Sequence, residues 1–193
     1  MNFSFVFVGD THGFINDFIK QKKVIENINP DFVLSENMQN ISLDSKEKYE
    51  EILRNEKISN MVFFEEMKEI IEFCYKKDIK LIGMDLENFG FNDNLQRKIK
   101  NKENLSKEEE KDIENIMKKR EEKNLEKIKE YQEKADKTIV ILIGSWHLRE
   151  NSSLMTSLNN YKVIFPCDDK GNLLIGPTNK NISYCERIKC QKN

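Results

Sequence analysis

The sequence predicts a single α/β domain with a mostly parallel central sheet of about five strands flanked by helices. Three observations support this fold class. Apolar runs of strand length recur along the chain, segments with helical spacing lie between them, and 193 residues with 38% hydrophobic content suffice for one buried core. A long, charged helical segment is expected before the fourth strand.

The predicted strands are continuous apolar runs without the alternation of half-exposed strands, which is typical of parallel strands covered on both faces. The runs are FSFVFV at 3–8, FVLS at 32–35, IKLIGM at 79–84, TIVILI at 138–143 and YKVIF at 161–165. Pro166 is expected to end the last run, because proline lacks a backbone N–H group.

Helical spacing follows the first two strands. Phe18, Ile25 and Ile28 belong to one amphipathic helix, which Asn29 and Pro30 are expected to end. The apolar face of a second helix comprises Phe63, Met67, Ile70, Ile71 and Cys74. Alternation of strands and helices indicates crossover connections and therefore a parallel sheet.

Segment 88–137 is rich in lysine and glutamate and is predicted to be a helical insertion or lid. Ser106 and Glu109 have the spacing of a capping box that begins a long helix. One face of this helix carries Ile113, Met117, Arg120, Asn124, Ile128 and Tyr131. An inward arginine is costly unless an acceptor meets it, although Arg120 could also reach past its neighbours to water.

The domain is assigned to residues 1–170, and residues 171–193 are expected to form a C-terminal arm. Balanced charge, with 32 basic and 34 acidic residues, argues against a nucleic-acid-binding role. No apolar run has the length of a membrane span, and the amino terminus lacks the features of a signal peptide. We therefore expect a cytoplasmic protein whose four cysteines are reduced thiols, although Cys185 and Cys190 could bridge or bind metal. The oligomeric state is left open.

Both histidines of the chain occur in the same setting, an apolar strand followed by Gly-x-x-His. His12 ends VFVGDTH and His147 ends ILIGSWH. In an open parallel sheet, ligands bind beyond the carboxyl ends of the strands, where polar side chains follow each predicted strand. These side chains are Asp10 and His12, Glu36, Asp85, and Ser145 and His147.

Two mechanisms fit such a set. In one, His12, Glu36 and His147 hold a divalent metal (Mn, Zn, Co or Fe) that activates a water molecule. In the other, a histidine is the general base and Arg120 stabilises the developing negative charge. Asp10, Asp85, Asn124, Ser145 and Trp146 are expected to support the site or to contact substrate. No nucleotide cofactor is expected, because the glycine spacing of phosphate-binding loops is missing.

The order of these motifs resembles a superfamily of TraB-like, TIKI-like, erythromycin esterase-like and ChaN-like proteins. The resemblance rests on Gly9 to His12, Glu36, Arg120 on a helix before the fourth strand, and Gly144 to His147. It implies an α/β fold with a cleft between the two Gly-x-x-His loops. The activities it implies diverge, because TIKI-like members are metal-dependent peptidases, erythromycin esterase-like members open a lactone, and ChaN-like members bind haem.

The resemblance implies a hydrolase of peptide, ester or lactone bonds that takes a peptide or small-molecule substrate, with Arg120 binding an anionic group or the oxyanion. The alternative is a protein that binds haem, a metal or an anion without turnover. GDTHG also resembles the start of calcineurin-like metallophosphoesterases, but their later Gly-Asn-His has no counterpart, since Gly171 and Asn172 are followed by leucine.

Overall fold

Seven strands form one sheet in the computed structural model, which describes residues 3–11, 15–54, 64–176 and 181–190. The strands are β1 Phe5–Asp10, β2 Phe32–Ser35, β3 Ser42–Leu43, β4 Lys80–Gly83, β5 Ile139–Gly144, β6 Tyr161–Cys167 and β7 Ser183–Lys189. Their order across the sheet is β3-β4-β2-β5-β1-β6-β7. The helices are α1 Ile15–Ile28, α2 Lys46–Arg54, α3 Phe64–Lys77, α4 Asp93–Lys100, α5 Lys107–Gln132 and α6 Ser153–Ser157.

The five central strands are the predicted ones, and their pairings with one another are all parallel. The prediction of about five strands omitted the two edge strands, β3 and β7, which pair antiparallel with their neighbours. β3 has two residues, and β7 (SYCERIK) is polar and half-exposed, so neither presents an apolar run. The strand ending predicted at Pro166 was also wrong, because β6 continues to Cys167 beside β7, beyond the last pairing of β1 at Ile164.

Alternate residues of the central strands bury two separate faces of the sheet. Val6 and Val8 of β1 pack with α1 and α3, whereas Phe5 and Phe7 pack on the side that holds α5 and α6. Each face therefore has its own apolar core, and the carboxyl ends of β1, β2, β4 and β5 emerge together between them.

Helix α5 begins with the predicted capping box, in which Ser106 and Glu109 each bond the other's backbone N–H. Its inward face buries Arg120, Asn124 and Ile128, while Ile113 and Met117 are half-buried. The buried arginine does not reach water but meets carboxylates, as described below. Glu121, which is not among the residues predicted for the inward face of this helix, is also buried.

A disulfide joins Cys167 to Cys185, so the expectation of four reduced thiols was wrong for this pair. Pairing of β6 with β7 aligns Phe165 with Cys185 and thereby brings the two sulfurs together. Because β7 was not predicted, no pattern in the sequence indicated that these two cysteines would pair. Disulfides persist mainly in oxidising compartments, so the cysteines no longer support a cytoplasmic location.

Within the described residues, none of the helices combines the length and the apolar character needed to cross a bilayer.

Candidate functional site

Polar side chains cluster where the parallel strands end, as the sequence predicts for an open sheet. They are Asp10, Glu36, Asp85, Ser145 and His147, and every one of them is buried. Beside them lies a cavity of about 260 Å³. Its walls include Asp10, Glu36, Arg120, Ser145, Trp146 and His147.

His147 lies between two carboxylates. It belongs to a 3₁₀ turn, Ser145–Leu148, that directly follows β5, and its side chain is buried. Its Nδ1 lies 3.3 Å from Oε1 of Glu121 on α5, and its Nε2 lies 3.6 Å from Oε2 of Glu36 after β2. Both ring nitrogens therefore face a carboxylate oxygen, one from α5 and one from the residue after β2.

Glu121 is held as an anion by three neighbours. Ser153 donates to its Oε2 from both the backbone N–H and the hydroxyl, and Arg149 Nη2 lies 3.0 Å from Oε1. Burial raises the pKa of the Glu121 carboxyl, but hydrogen bonds from His147 and Ser153 and the charge of Arg149 outweigh burial and lower the pKa to about 2. A permanent negative charge thus lies against Nδ1 of His147.

Arg120 forms a forked ion pair with Asp85. Its Nε donates to both carboxylate oxygens at 3.1 and 2.9 Å, and its Nη2 donates to Oδ2 at 2.6 Å. Its guanidinium carbon also lies 4.8 Å from the centre of the Phe89 ring. Burial lowers the pKa of Arg120, but the bonds to Asp85 and the nearby carboxylates of Glu36 and Glu121 raise it further above its ordinary value.

Glu36 connects these two pairs. Its Oε2 lies 3.9 Å from Arg120 Nη2 as well as 3.6 Å from His147. The site is therefore a continuous chain of ionisable side chains, running Asp85, Arg120, Glu36, His147, Glu121. Asp85 holds the guanidinium of Arg120, and its expected role as an orienting group or added ligand of the site stays a prediction.

The backbone at Gly144 lies against Glu36. A Cβ atom at this position would be 2.8 Å from Glu36 Oε1, closer than Cβ contacts occur. Gly144 is the last residue of β5 and precedes the turn that carries His147. The absence of a side chain here lets the glutamate approach the histidine turn.

Asp10 is held from the α1 side of the sheet. Gln21 donates to its Oδ2 at 3.1 Å, and Asn37 is 3.5 Å from the same oxygen. The next residue, Thr11, donates its N–H to Asp17 of α1, which also accepts a bond from Tyr184 of β7. The end of β1 is thereby fixed by both α1 and the C-terminal strand.

The remaining predicted residues lie in or near the cavity. Trp146 lines it, with the guanidinium of Arg149 3.4 Å from the centre of its ring. Ser145 Oγ and the amide group of Asn124 are buried and have no hydrogen-bond partner among the described residues. Arg97, the other arginine of segment 88–137, is exposed and pairs with Glu103.

His12, one of the three predicted metal ligands, lies outside the described residues. The structure describes the other two, Glu36 and His147. These two supply one nitrogen and one oxygen, fewer donors than a protein metal site needs. Among the residues that the structure describes, no group of three His, Cys, Asp or Glu side chains could hold a metal ion.

Two residues of the site were missed by sequence reasoning. Glu121 directly follows Arg120, but α5 is so rich in glutamate that nothing in its spacing distinguishes this one. Arg149 follows His147 by two residues, and a basic residue just after a turn is ordinary. Both are identified by contacts that form only when α5 packs on the turn after β5.

Comparison with solved structures finds a similar fold in ChaN of Campylobacter jejuni, whose structure describes cofacial heme binding. The similarity covers 84% of this chain and 80% of that chain, with a TM-score of 0.50 and 11% identity. It supports the ChaN-like part of the expected resemblance at the level of the fold. No curated protein matches the sequence.

A sequence model of the aldo/keto reductase family matches residues 31–166. The match thus differs from the TraB-like, TIKI-like and erythromycin esterase-like resemblance expected from the motifs. It runs from just before β2 into β6, so it includes Glu36, Asp85, Arg120 and His147 and leaves out β1. Because the match spans more than half of the chain, the protein belongs to the aldo/keto reductase family.

Proposed function

We propose that the protein hydrolyses an ester, lactone or peptide-type bond of a small molecule, with His147 as the general base. The observation that carries the proposal is the position of His147 on the wall of the polar cavity, between the carboxylates of Glu121 and Glu36. A histidine oriented by a buried carboxylate is a common arrangement for proton transfer in hydrolysis.

The charge on Glu121 determines which ring nitrogen is the base. An ionised carboxylate accepts a hydrogen bond, so in the neutral ring the proton is on Nδ1 and the lone pair is on Nε2. Nε2 is the nitrogen on the Glu36 side, and both of these residues line the cavity. The imidazolium formed after proton transfer is then stabilised by a carboxylate on each side.

In the proposed reaction, water attacks the carbonyl carbon while Nε2 of His147 takes one of its protons. The carbonyl oxygen becomes negatively charged in the tetrahedral intermediate, and Arg120 supplies the nearby positive charge. The intermediate then collapses, the bond to the leaving oxygen or nitrogen breaks, and His147 returns the proton to that atom. Water is the sole co-reactant; an ester or peptide-type bond gives one acid and one alcohol or amine, and a lactone gives a single hydroxy acid.

The test compares hydrolysis of acyl esters, lactones and peptides by the wild type, His147→Ala and Glu121→Gln. We expect His147→Ala to lower kcat about 10³-fold or more and Glu121→Gln to lower it about 10²-fold, with KM little changed. Glu130→Gln is the matched control, because Glu130 lies on the same helix but pairs with Lys127 and Lys134 at the surface. Equal activity of all variants would reject His147 as the base.

The name of the aldo/keto reductase family points to another reaction, the reduction of aldehydes and ketones. The buried His147 and its carboxylate partners on the open sheet favour hydrolysis. The same proteins should therefore be incubated with aldehydes and reduced nicotinamide dinucleotides. Consumption of the nicotinamide with no ester, lactone or peptide hydrolysis would replace hydrolysis with carbonyl reduction.

A second candidate function is haem binding without turnover, which the fold similarity to ChaN favours. An apolar cavity of about 580 Å³ beside the polar one is the feature that would accept a porphyrin edge. Titration of the protein with haemin tests this, since bound haem gives a strong visible absorption band. A band that persists in His147→Ala and disappears in Met117→Ala would assign the sulfur of Met117 as an iron ligand.

A further inference from the structure

The polar cavity opens beside a second, larger one. The second cavity has a volume of about 580 Å³ and shares Met117, Trp146 and Ile175 with the first. Its other lining residues are Ile113, Glu114, Lys118, Glu121 and Arg149. A molecule whose reacting group lies beside His147 would therefore extend into this second cavity.

Three apolar side chains, Ile113, Met117 and Ile175, line the second cavity together with Trp146 and four charged residues. Ile113 and Met117 are one turn apart on α5 and so lie on the same face of the helix. Ile175 approaches from the C-terminal arm, and 62% of its surface is exposed. Exposed apolar side chains gathered around a hollow are typical of a binding site.

Trp146 forms the wall between the two cavities, and its position is fixed. The guanidinium of Arg149 lies 3.4 Å from the centre of its ring and donates to the Trp146 carbonyl oxygen at 2.7 Å. The same arginine pairs with Glu121, the residue that orients His147. Arg149 already covers one face of the Trp146 indole, so a planar ligand ring cannot stack on that face. A flexible aliphatic chain fits beside this side chain better than a planar ring does.

From this arrangement we infer that the substrate carries an aliphatic acyl chain, which lies in the second cavity while the cleaved carbonyl lies beside His147. The inference rests on the proposed hydrolysis and adds the substrate class. Ile113, Met117 and Ile175 are then the residues that select chain length. Each buried methylene improves binding by up to about fourfold, the value expected for transfer of this group out of water.

Binding can be measured without turnover, because Trp146 is the one tryptophan of the chain. Straight-chain amides from acetamide to octanamide are titrated while its fluorescence is followed, first in His147→Ala, where the proposed general base is missing and no amide is cleaved, and then in the wild type. We expect the Kd to fall two- to fourfold per methylene over the first several carbons, and kcat/KM for the matching acyl esters to rise in parallel. A Kd that does not change with chain length would overturn the inference.

Substitutions of the lining residues test whether the acyl chain lies in the second cavity. Ile175→Asp and Ile113→Asp should each abolish the dependence on chain length and weaken octanamide binding at least tenfold. Ile19→Asp is the matched control, since Ile19 is an isoleucine with 59% exposure on α1 that does not line either cavity. Equal loss in the control variant would contradict the assignment.

The two proposals can fail separately. If amides bind with the expected dependence on chain length but no ester is hydrolysed, the acyl-chain site stands and hydrolysis is rejected. If esters are hydrolysed equally well from acetyl to octanoyl, hydrolysis stands and the acyl-chain site is rejected. His147→Ala should keep the two- to fourfold fall in Kd per methylene, because the chain does not contact that residue in the proposed arrangement.

Discussion

Nδ1 of His147 lies 3.3 Å from Oε1 of Glu121, and this contact joins the long helix α5 to the turn after β5. Arg149 and Ser153 bind the same carboxylate, so three side chains from the turn after β5 and the residues that follow it, up to the start of α6, meet at one charge on α5. The contact is buried, with Glu121 3% and His147 2% exposed. The charged helix therefore completes the site and does not simply cover it.

The pH dependence of stability should reveal this buried charge. The pKa of Glu121 falls from an ordinary value of 4.5 to about 2 in the folded protein. A lowered carboxyl pKa stabilises the fold above the unfolded pKa and loses that effect as the pH falls through the folded pKa. We expect on the order of 3 kcal/mol to be lost between about pH 5 and pH 2. Urea unfolding across that range, compared with Glu121→Gln, measures it.

Glu130 is the control for that experiment, because its pKa is lowered as far as that of Glu121 although its side chain is more exposed. Lys127 and Lys134 lower its pKa to about 2 as well, but 36% of its side chain faces water. Ion pairs that are screened by solvent contribute roughly 0–1 kcal/mol. Glu130→Gln should therefore leave the pH profile nearly unchanged. If the stability of Glu130→Gln depended on pH as little as that of Glu121→Gln, burial would not distinguish the contributions of the two carboxylates.

Removal of Arg120 should be strongly destabilising, because Asp85 and Glu36 would be left buried without their cation. We expect Arg120→Met to lower the free energy of unfolding by about 3–5 kcal/mol. Asp85→Asn in the same chain should restore part of the loss, so the double variant is more stable than the sum of the single effects predicts. Arg97→Met, which breaks the half-exposed pair with Glu103, should cost less than about 1 kcal/mol.

The close approach of Glu36 to Gly144 predicts different effects for two alanine substitutions. Gly144→Ala would push against the carboxylate of Glu36, which can shift, so we expect a modest loss of about 1–3 kcal/mol together with a large loss of activity. Gly83→Ala would meet the backbone oxygens of Gln39 and Ile41 at 2.4 Å, which cannot move easily. It should destabilise the fold more than Gly144→Ala does. The reverse order, measured by thermal unfolding, would contradict this account.

The central strands and the inward position of Arg120 could be predicted because each follows from a local pattern. Apolar runs indicated β1, β2, β4, β5 and β6, and a spacing of three and four residues placed Arg120 with Ile128. The acceptor for Arg120 could be limited to a carboxylate or an anion by the cost of burying its charge. Which carboxylate it meets depends on how α5 lies across the sheet, and no local pattern encodes that.

The partner of His147 and the C-terminal strand could not be predicted for related reasons. Glu121 is one of many glutamates on α5, and its selection depends on tertiary packing. The sequence SYCERIK is too polar for a buried strand and is held by pairing with β6 and by the bond between Cys167 and Cys185. A strand or contact that depends on residues far apart in the sequence cannot be predicted from the local pattern of one sequence.

Reduction of the disulfide should lower stability and loosen one side of the site. The bridge closes a loop between positions 18 residues apart, for which chain entropy predicts about 3 kcal/mol. β7 also carries Tyr184, which bonds Asp17, and Asp17 accepts the N–H of Thr11 at the cavity wall. We therefore expect reduction to speed hydrogen exchange at the Thr11 amide as well as to lower the unfolding midpoint in urea.

Cysteine variants separate this effect from general damage by the reductant. The double variant Cys167→Ser, Cys185→Ser should match the reduced wild type and should not respond to dithiothreitol. Cys190→Ser is the matched control, because Cys190 is exposed and lies outside the bridge. It should behave as the wild type does with and without reductant. Unchanged exchange at Thr11 in the double variant would mean that β-sheet pairing alone holds Tyr184 against Asp17, and that the bridge stabilises the arm without reaching the site.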